Sequence, residues 1–278
     1  MIPPAAVAMT RTCWRDGQAS PGQRVLPEEV PVAFTYNRVT YAVMLASPVD
    51  LADFAIGFSL TEGVIANPAE IEELEIVERE QGIELRMSLA ADRETAFHAR
   101  RRHLTGASGC GLCGIESLAE AVRTPPLVPD GPCFSAEQIA AAMAALPAAQ
   151  KLNRATHAVH AAAFWTQAAG LVACAEDVGR HNALDKLAGG LLRRGGDRSV
   201  GILLLSSRVS VEMIQKCAMI GIPVLVAISS PTALAVRMAE AAGITLIGVA
   251  RDDGFEIFAH AERIWTASQN LQGMRDVA

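Results

Sequence analysis

The sequence predicts an α/β protein in which a three-layer, mostly parallel sheet is preceded by a smaller antiparallel portion. Three observations support this fold class. The chain of 278 residues is 51% hydrophobic but only 5% aromatic, as expected where Val-, Ile- and Leu-rich strands are covered by helices on both faces. From Gly170 onward, apolar runs of strand length alternate with helical patterns. In the earlier part, apolar and polar residues alternate singly.

The residues before the glycine-rich segment predict two hairpins and one helix. The helix is expected to begin at Ser47–Pro48–Val49–Asp50, where a capping serine, a proline and an acid occupy suitable positions, and to end at about Glu62. The predicted hairpins pair Val30–Phe34 with Tyr41–Leu45 and Leu74–Glu78 with Ile83–Leu89.

The second half predicts a capped helix and then a regular strand–helix alternation. The helix begins at the capping box Ser135–Ala136–Glu137–Gln138. The strands that follow are Leu171–Ala175, Val200–Leu205, Pro223–Ile228 and Thr245–Val249, and the helices are Asn182–Arg194, Val209–Ile220 and Thr232–Ala242. We therefore divide the chain into a flexible tail (1–24), a strand-rich subdomain (25–109) and an α/β domain (110–270) that opens with a CxxC loop.

Composition and charge exclude several classes of protein. The formal net charge of −6 disfavours a general nucleic-acid binder, which needs a basic surface. The longest apolar runs are of strand length, too short to span a membrane. Met1–Met9 carries no basic residue ahead of its apolar stretch, so no secretory signal is predicted and we expect a cytoplasmic protein without a disulfide framework. The mean hydropathy of +0.25 is compatible with a homodimer.

The segment around Cys110 and Cys113 is the strongest local motif. Glycines surround the two thiols, so a bulky partner can approach the sulfur atoms, and a helix expected to start nearby would favour a thiolate. Spacing alone leaves other interpretations open. Half of a zinc site is one, although no second CxxC is present; a thioredoxin-like dithiol and purely structural cysteines are the others.

Polar side chains follow several predicted strands of the second half. At these junctions, Arg180 and His181 follow one strand, and Ser207 and Arg208 follow the next. Because ligands of α/β sheets bind beyond the carboxyl ends of strands, these residues are candidates for binding phosphates. A late alternating segment could place its aromatic rings on a base; it comprises Phe255, Glu256, Ile257, Phe258, Ala259 and His260. Capped helices and core packing are the alternatives for these segments.

Taken together, four motifs closely resemble the FdhD/NarQ family of formate dehydrogenase accessory sulfurtransferases. They read CGLCG, EDVGRHNALDK, LLLSSRVSVEMIQK and GVARDDGFEIFAH, and the resemblance extends from about Val30 to Ile264. It implies a fold similar to cytidine deaminases. It also implies a persulfide carrier that takes sulfur from a cysteine desulfurase and passes it to the Mo-bis(molybdopterin guanine dinucleotide) cofactor of formate dehydrogenase.

The same resemblance implies roles for individual residues. Cys110 is expected to bear the persulfide and Cys113 to assist the transfer, while the segment from Phe255 to His260 is expected to contact the guanine-nucleotide portion of the cofactor. From their own chemistry, Arg180, His181, Ser207 and Arg208 are expected to hold its phosphates. The partners implied are a cysteine desulfurase and the formate dehydrogenase apoenzyme.

Two other functions compete with this hypothesis. A zinc-dependent deaminase would use the CxxC with Cys174–Ala175–Glu176, but the order of these elements is reversed relative to the usual signature. A non-catalytic chaperone would hold the cofactor through the same polar residues without loading sulfur onto Cys110.

Overall fold

The computed structural model describes residues 1–90, 93, 104–108, 113–115 and 123–265. Its first strands are β1 (Ala6–Arg15), β2 (Gln18–Pro27), β3 (Val30–Tyr36), β4 (Val39–Ala46), β5 (Ile71–Arg79), β6 (Gly82–Leu89), β7 (Leu104–Ser108), β8 (Cys113–Ile115) and β9 (Phe134–Ser135). The later strands are β10 (His160–Thr166), β11 (Gly170–Asp177), β12 (Gly201–Leu205), β13 (Val224–Ala227), β14 (Thr245–Arg251), β15 (Gly254–Ala259) and β16 (Ile264–Trp265). The helices are α1 (Leu51–Thr61), α2 (Ala136–Ala149), α3 (Lys151–Thr156), α4 (Arg180–Arg194), α5 (Val211–Ile220) and α6 (Ala233–Ala242). No helix in the described ranges is long and apolar enough to cross a membrane.

The α/β class is confirmed, but the prediction of a mostly parallel sheet is wrong. The largest sheet has the order β11-β10-β12-β13-β14-β15. Only β12, β13 and β14 pair in parallel; the other three neighbouring pairs are antiparallel. The reason is β10, an Ala-rich strand that the sequence patterns did not reveal, which turns back into β11 and lies between β11 and β12.

Helices cover both faces of this six-stranded sheet, as expected of a three-layer arrangement. Alternate residues of β12 point in opposite directions. Ile202 and Leu204 join one cluster with Ile139 of α2, while Leu203 and Leu205 join a second cluster with α4, α5 and α6. The capping box predicted at Ser135 is present at the start of α2. The further expectation of a deaminase-like fold stays a prediction.

The smaller portion is a four-stranded sheet with α1 packed on its inner face. Its order is β4-β3-β6-β5, so both predicted hairpins are confirmed, although β3 and β6 run parallel. The Phe34 and Phe58 rings stack with centroids 4.0 Å apart. Phe54 meets Phe34 edge-on, and all three rings belong to the cluster shared with α4 and α5. The two sheets therefore share one hydrophobic core.

The segment 1–24, predicted to be a loose tail, differs from that expectation because most of it is paired. β1 and β2 form a regular antiparallel hairpin from Ala6 to Pro27. Its turn is Asp16–Gly17, and both residues have positive φ, as the favoured two-residue hairpin turn requires. This Asp-Gly pair was the available sequence signal.

Helices α1 and α4 approach each other at two glycines. A Cβ atom added to Gly57 would overlap the carbonyl oxygen of Asp185, and one added to Gly189 would overlap that of Asp53. Backbone atoms cannot rotate away as a side chain can. The contact therefore requires glycine on both helices.

We expect Gly189→Ala to lower the free energy of unfolding by about 1–3 kcal/mol or more, because the new methyl group must push α1 away from α4. Gly190→Ala is a matched control in the same helix, since its Cβ would meet only the Asp53 carboxylate, at 3.2 Å. The control should stay within about 1 kcal/mol of the wild type. Urea unfolding of the three proteins measures the difference, and equal stability of both variants would contradict this account.

Candidate functional site

Four polar segments meet at one edge of the six-stranded sheet. β11, β12, β13 and β14 all point toward this edge, since β10 runs antiparallel to both β11 and β12. The segments 176–181, 206–208, 229–232 and 250–253 therefore share the edge, as the sequence predicted for carboxyl strand ends. We call this edge the carboxyl edge. His160, the first residue of β10, lies there opposite Asp177.

Three residues spread along the EDVGRHNALDK motif form a buried network with the smaller sheet. Lys186 Nζ donates to Asp177 Oδ2 at 2.6 Å and to the carbonyl oxygen of Ser47 at 2.8 Å, and both charged side chains are fully buried. The Asn182 amide links Asp177 Oδ1 to the Leu45 carbonyl. Asp177 and Lys186 are therefore structural residues, and their charges compensate each other.

The predicted helix start at Ser47 is wrong, and the network explains why. Helix α1 begins at Leu51, so its N-cap is Asp50, three residues after the predicted one; Asp50 has a left-handed backbone conformation. Ser47 instead donates its backbone N–H to Asp177 Oδ2 at 2.9 Å and accepts from the Val178 N–H through Oγ. Its role is to join the two sheets.

A second buried ion pair lies between α4 and α5. Lys216 Nζ contacts both carboxylate oxygens of Asp185, at 2.9 and 3.0 Å, and also Thr61 Oγ1 at the end of α1. Burial acts to lower the pKa of Lys216, but Asp185 and Glu62 raise it above its ordinary value. Glu212 lies one turn before Lys216 in the sequence, and this spacing alone would suggest a surface ion pair. Lys216 is instead buried and paired with Asp185.

Glu176, the first residue of the motif, also has a structural role. Its carboxylate accepts the backbone N–H groups of Leu152 and Asn153, each at 2.8 Å, at the start of α3. A buried carboxylate that caps a helix satisfies otherwise unpaired donors. Glu176 is thus occupied and is not a candidate ligand for a metal or a base.

Arg180 and His181, in contrast, are not used by these networks. Among the described residues, five buried side-chain polar atoms lack a hydrogen-bond partner, and four of them lie at the N-terminal ends of α4 and α5: Arg180 Nε, His181 Nε2, Ser210 Oγ and Glu212 Oε2. Unsatisfied buried polar atoms are uncommon, and an absent ligand is one of their ordinary explanations. No side chain caps either helix.

The electrostatic surroundings of His181 mark this place as cationic. Burial lowers the pKa of His181 to about 3, and the nearby charges of Lys216, Arg180 and Arg208 act in the same direction. Arg208 itself is exposed. Two helix N-termini and two arginines that have no carboxylate partner among the described residues make a suitable binding place for an anion.

The loops at the carboxyl edge are held to each other by backbone pairing. The Val209 N–H donates to the carbonyl of Ser230, and the Thr232 N–H donates to that of Val209. Ser207 is buried, and its hydroxyl donates to the Arg208 carbonyl at 3.0 Å. Ser207 therefore shapes the loop, while Arg208 is left available on its surface.

The structure divides the segment from Phe255 to His260 between two edges of the sheet. β15 starts at the carboxyl edge, where Gly254 pairs with Arg251, and runs away from it. Phe258 lies near Pro231, since a Cβ on Gly248 would meet both side chains. His260 lies at the opposite edge and contacts Glu262 and the Glu240 carbonyl. Glu256 and Ile257 are exposed, and Ala259 is buried.

The sulfur chemistry lies mostly outside the described residues. Cys110 is one of the residues not described, and of Cys113 only the backbone is described, as the first residue of β8. Strand β7, which precedes Cys110, lies against β4. Burial raises the pKa of Cys174 to about 12 and also raises that of Cys217, so neither is a reactive thiolate. No cluster of three metal-binding side chains occurs among the described residues.

Comparison with known proteins gives consistent results over nearly the whole chain. A family model described as FdhD/NarQ matches residues 27–265. Two similar proteins are named sulfur carrier protein FdhD. The one from Agrobacterium fabrum is 52% identical over 92% of this chain and 95% of its own length; that from Cupriavidus necator is 46% identical over 94% and 91%. A crystal structure from Desulfotalea psychrophila, described as a formate dehydrogenase accessory protein, superposes with a TM-score of 0.75. It is 27% identical and covers 94% of this chain and 100% of its own.

The depressed pKa of His181 predicts how stability depends on pH. As the pH falls below about 6.5, the unfolded chain binds a proton at His181 that the folded protein does not bind until about pH 3. The free energy of unfolding should therefore decrease as the pH falls through this window, by at most about 1.4 kcal/mol per pH unit.

His181→Asn should remove this contribution and flatten the dependence of stability on pH between pH 6.5 and 3. His157→Asn, at an exposed histidine, is the control and should retain the wild-type slope. Denaturant unfolding at a series of pH values provides the measurement. The same slope in the wild type and in His181→Asn would show that His181 is not buried in its neutral form.

Proposed function

Because this chain belongs to the FdhD/NarQ family, we propose that it is a sulfurtransferase that carries sulfur as a persulfide on Cys110 in the maturation of formate dehydrogenase. The observation that carries the proposal is its similarity, over nine-tenths of its length, to proteins named as sulfur carriers. The glycine-flanked pair of Cys110 and Cys113 supplies the thiols that such a carrier needs. A cytoplasmic location fits a function that depends on thiols.

The loading step is a thiol–persulfide exchange. The Cys110 thiolate attacks the outer sulfur of a persulfide on a cysteine desulfurase, a new S–S bond forms, and the desulfurase cysteine leaves as a thiolate. Sulfur keeps its oxidation level, so no external oxidant or reductant is required. Cys113 lies three residues away in the sequence and assists the release of the outer sulfur from Cys110.

The substrate that receives the sulfur is the molybdenum cofactor in its bis-guanine-dinucleotide form, destined for the formate dehydrogenase apoenzyme. Its phosphates are held at the carboxyl edge, by Arg180, His181 and Arg208 on a loop shaped by Ser207. The unpartnered atoms of Arg180 and His181 support this role, because phosphate oxygens are the acceptors that they lack. Phe258, whose side chain lies beside Pro231 near this edge, contacts a guanine ring, whereas Phe255, near the start of β15, packs on the other face of the sheet.

Cys110→Ala should abolish sulfur loading. After incubation with a cysteine desulfurase and cysteine, the wild-type protein should gain the mass of one sulfur atom, about 32 Da, on the peptide that contains Cys110. Cys133→Ala, at an exposed cysteine far from the motif in sequence, is the control and should load normally. If Cys110→Ala gained the sulfur atom as the wild type does, the sulfur would be carried by another residue and the proposal would be refuted. Unloaded wild-type protein that still matured formate dehydrogenase would favour the chaperone.

Arg180→Ala and Arg208→Ala should each weaken the binding of guanosine diphosphate by roughly 10-fold, the usual loss for a charged hydrogen bond. Arg194→Ala is the matched control, because Arg194 is exposed at the other end of α4. Calorimetric titration at two salt concentrations measures both affinity and its salt dependence. If all three variants bound like the wild type, the phosphates would not lie at this edge.

A further inference from the structure

The unpartnered atoms at the carboxyl edge are not all suited to phosphate. Arg180 Nε and Ser210 Oγ donate hydrogen bonds, and His181 Nε2 can donate in one tautomer. Glu212 Oε2 is a carboxylate oxygen and can only accept. A phosphate offers no donor to it and is repelled by its charge. The complete set therefore fits a ligand that carries both acceptor oxygens and N–H donors.

Helix geometry places Glu212 on the side of α5 that faces α4. Residues four apart lie one above the other on the same side of a helix. His181 is one turn before Asp185 in α4, and Glu212 is one turn before Lys216 in α5. Since Asp185 and Lys216 contact each other at 2.9 Å, His181 and Glu212 lie one turn closer to the carboxyl edge on the facing sides of the two helices.

The polar atoms between the first turns of α4 and α5 belong to buried side chains. His181 is 7% exposed and Ser210 9% exposed, yet each presents an unpartnered polar atom. His181 and Glu212 do not bond to each other, although an imidazole and a carboxylate could do so. A group inserted between the two first turns would satisfy both.

We propose that Glu212 is a specificity-determining residue that accepts hydrogen bonds from the N–H groups of a 2-aminopyrimidin-4-one ring. This ring edge offers a ring N–H and an exocyclic amino group side by side, which match the two oxygens of one carboxylate. It occurs both in guanine and in pterins, whereas adenine lacks it. The inference rests on the proposed function, because it deepens the site already assigned to the cofactor's phosphates.

An apolar surface for the face of such a ring lies close by. Phe258 is half-buried and lies beside Pro231. Pro231 forms a β-bridge with Val209, only three residues before Glu212. Phe258 therefore belongs to the same loop cluster as Glu212, and an aromatic ring next to a carboxylate is a common arrangement for reading a flat base.

Glu212→Gln should change nucleotide and phosphate binding in opposite directions. The affinity for guanosine diphosphate should fall roughly 10-fold, because a carboxylate that accepts two N–H groups is replaced by an amide that accepts one. The affinity for inorganic pyrophosphate should rise or stay the same, because a negative charge near the anion is removed. Glu137→Gln is the matched control, since Glu137 is the second residue of α2 as Glu212 is of α5.

The affinities for diphosphates that differ only in the base identify the ring that Glu212 contacts. The wild type should bind guanosine diphosphate more tightly than inosine diphosphate, which lacks the amino group, and adenosine diphosphate most weakly. Glu212→Gln should reduce the preference for guanosine over inosine diphosphate. Loss of 6-hydroxymethylpterin binding in this variant, with guanosine diphosphate unaffected, would assign the same edge to the pterin instead.

Two results would overturn the inference and separate it from the proposed function. If guanosine diphosphate and the pterin bind Glu212→Gln as they bind the wild type, Glu212 does not read the ring, while the phosphate site stands. If the affinity of the variant for pyrophosphate falls as much as its affinity for guanosine diphosphate, Glu212 only orients the arginines. Failure of the wild type to bind any of these ligands would instead contradict the proposed function. Thermal unfolding of each variant confirms that it is folded.

Discussion

The close contact between α1 and α4 is the constraint on which the rest of the structure depends. Gly57 and Gly189 allow the two backbones to touch, and this contact joins the four-stranded sheet to the six-stranded sheet through one core. Close packing brings Ser47 and Thr61, at the two ends of the α1 region, within hydrogen-bond distance of Lys186 and Lys216. Without that approach, both lysines would be buried without a sufficient set of acceptors, which is strongly unfavourable.

The charged residues in α4 and next to it differ in whether they have a partner, according to their position along the helix. Asp177, Asp185 and the two lysines are buried and paired, and the pairs hold the helix in place. Within the part of the chain that the structure describes, Arg180 and His181, in the first turn, have no such partners, and they lie where the helix dipole is positive. Because the supporting pairs fix the helix, the unpaired groups are held ready for a ligand and lose little freedom when it binds.

The mixed topology of the large sheet does not disturb the binding edge. β10 reverses the chain direction on one side of the sheet, but β11 reverses it again, so β11 ends at the same edge as β12, β13 and β14. The antiparallel β15 has the opposite effect, because it carries its own residues away from the edge. For this reason Phe255, near the start of β15, lies at the binding edge, whereas His260 lies at the opposite edge. Phe258 stays near the site only through the contact of its side chain with Pro231.

The sequence by itself determined the α/β class, both predicted hairpins, the Ser135 cap and the grouping of polar strand ends, because these depend on periodicity and short-range chemistry. The family resemblance, which long motifs carried, is confirmed. Only the tertiary structure decided the strand directions around β10, since an Ala-rich strand gives no alternating pattern. It also decided which residues of EDVGRHNALDK are structural. In the sequence, Asp177 and Lys186 are polar residues of the same motif as Arg180 and His181. They differ because Asp177 and Lys186 have a hydrogen-bond partner more than a hundred residues away, Ser47. Glu212 shows the same limit. Lys216 is one helical turn away from it in the sequence, but in the structure the Lys216 ammonium contacts Asp185.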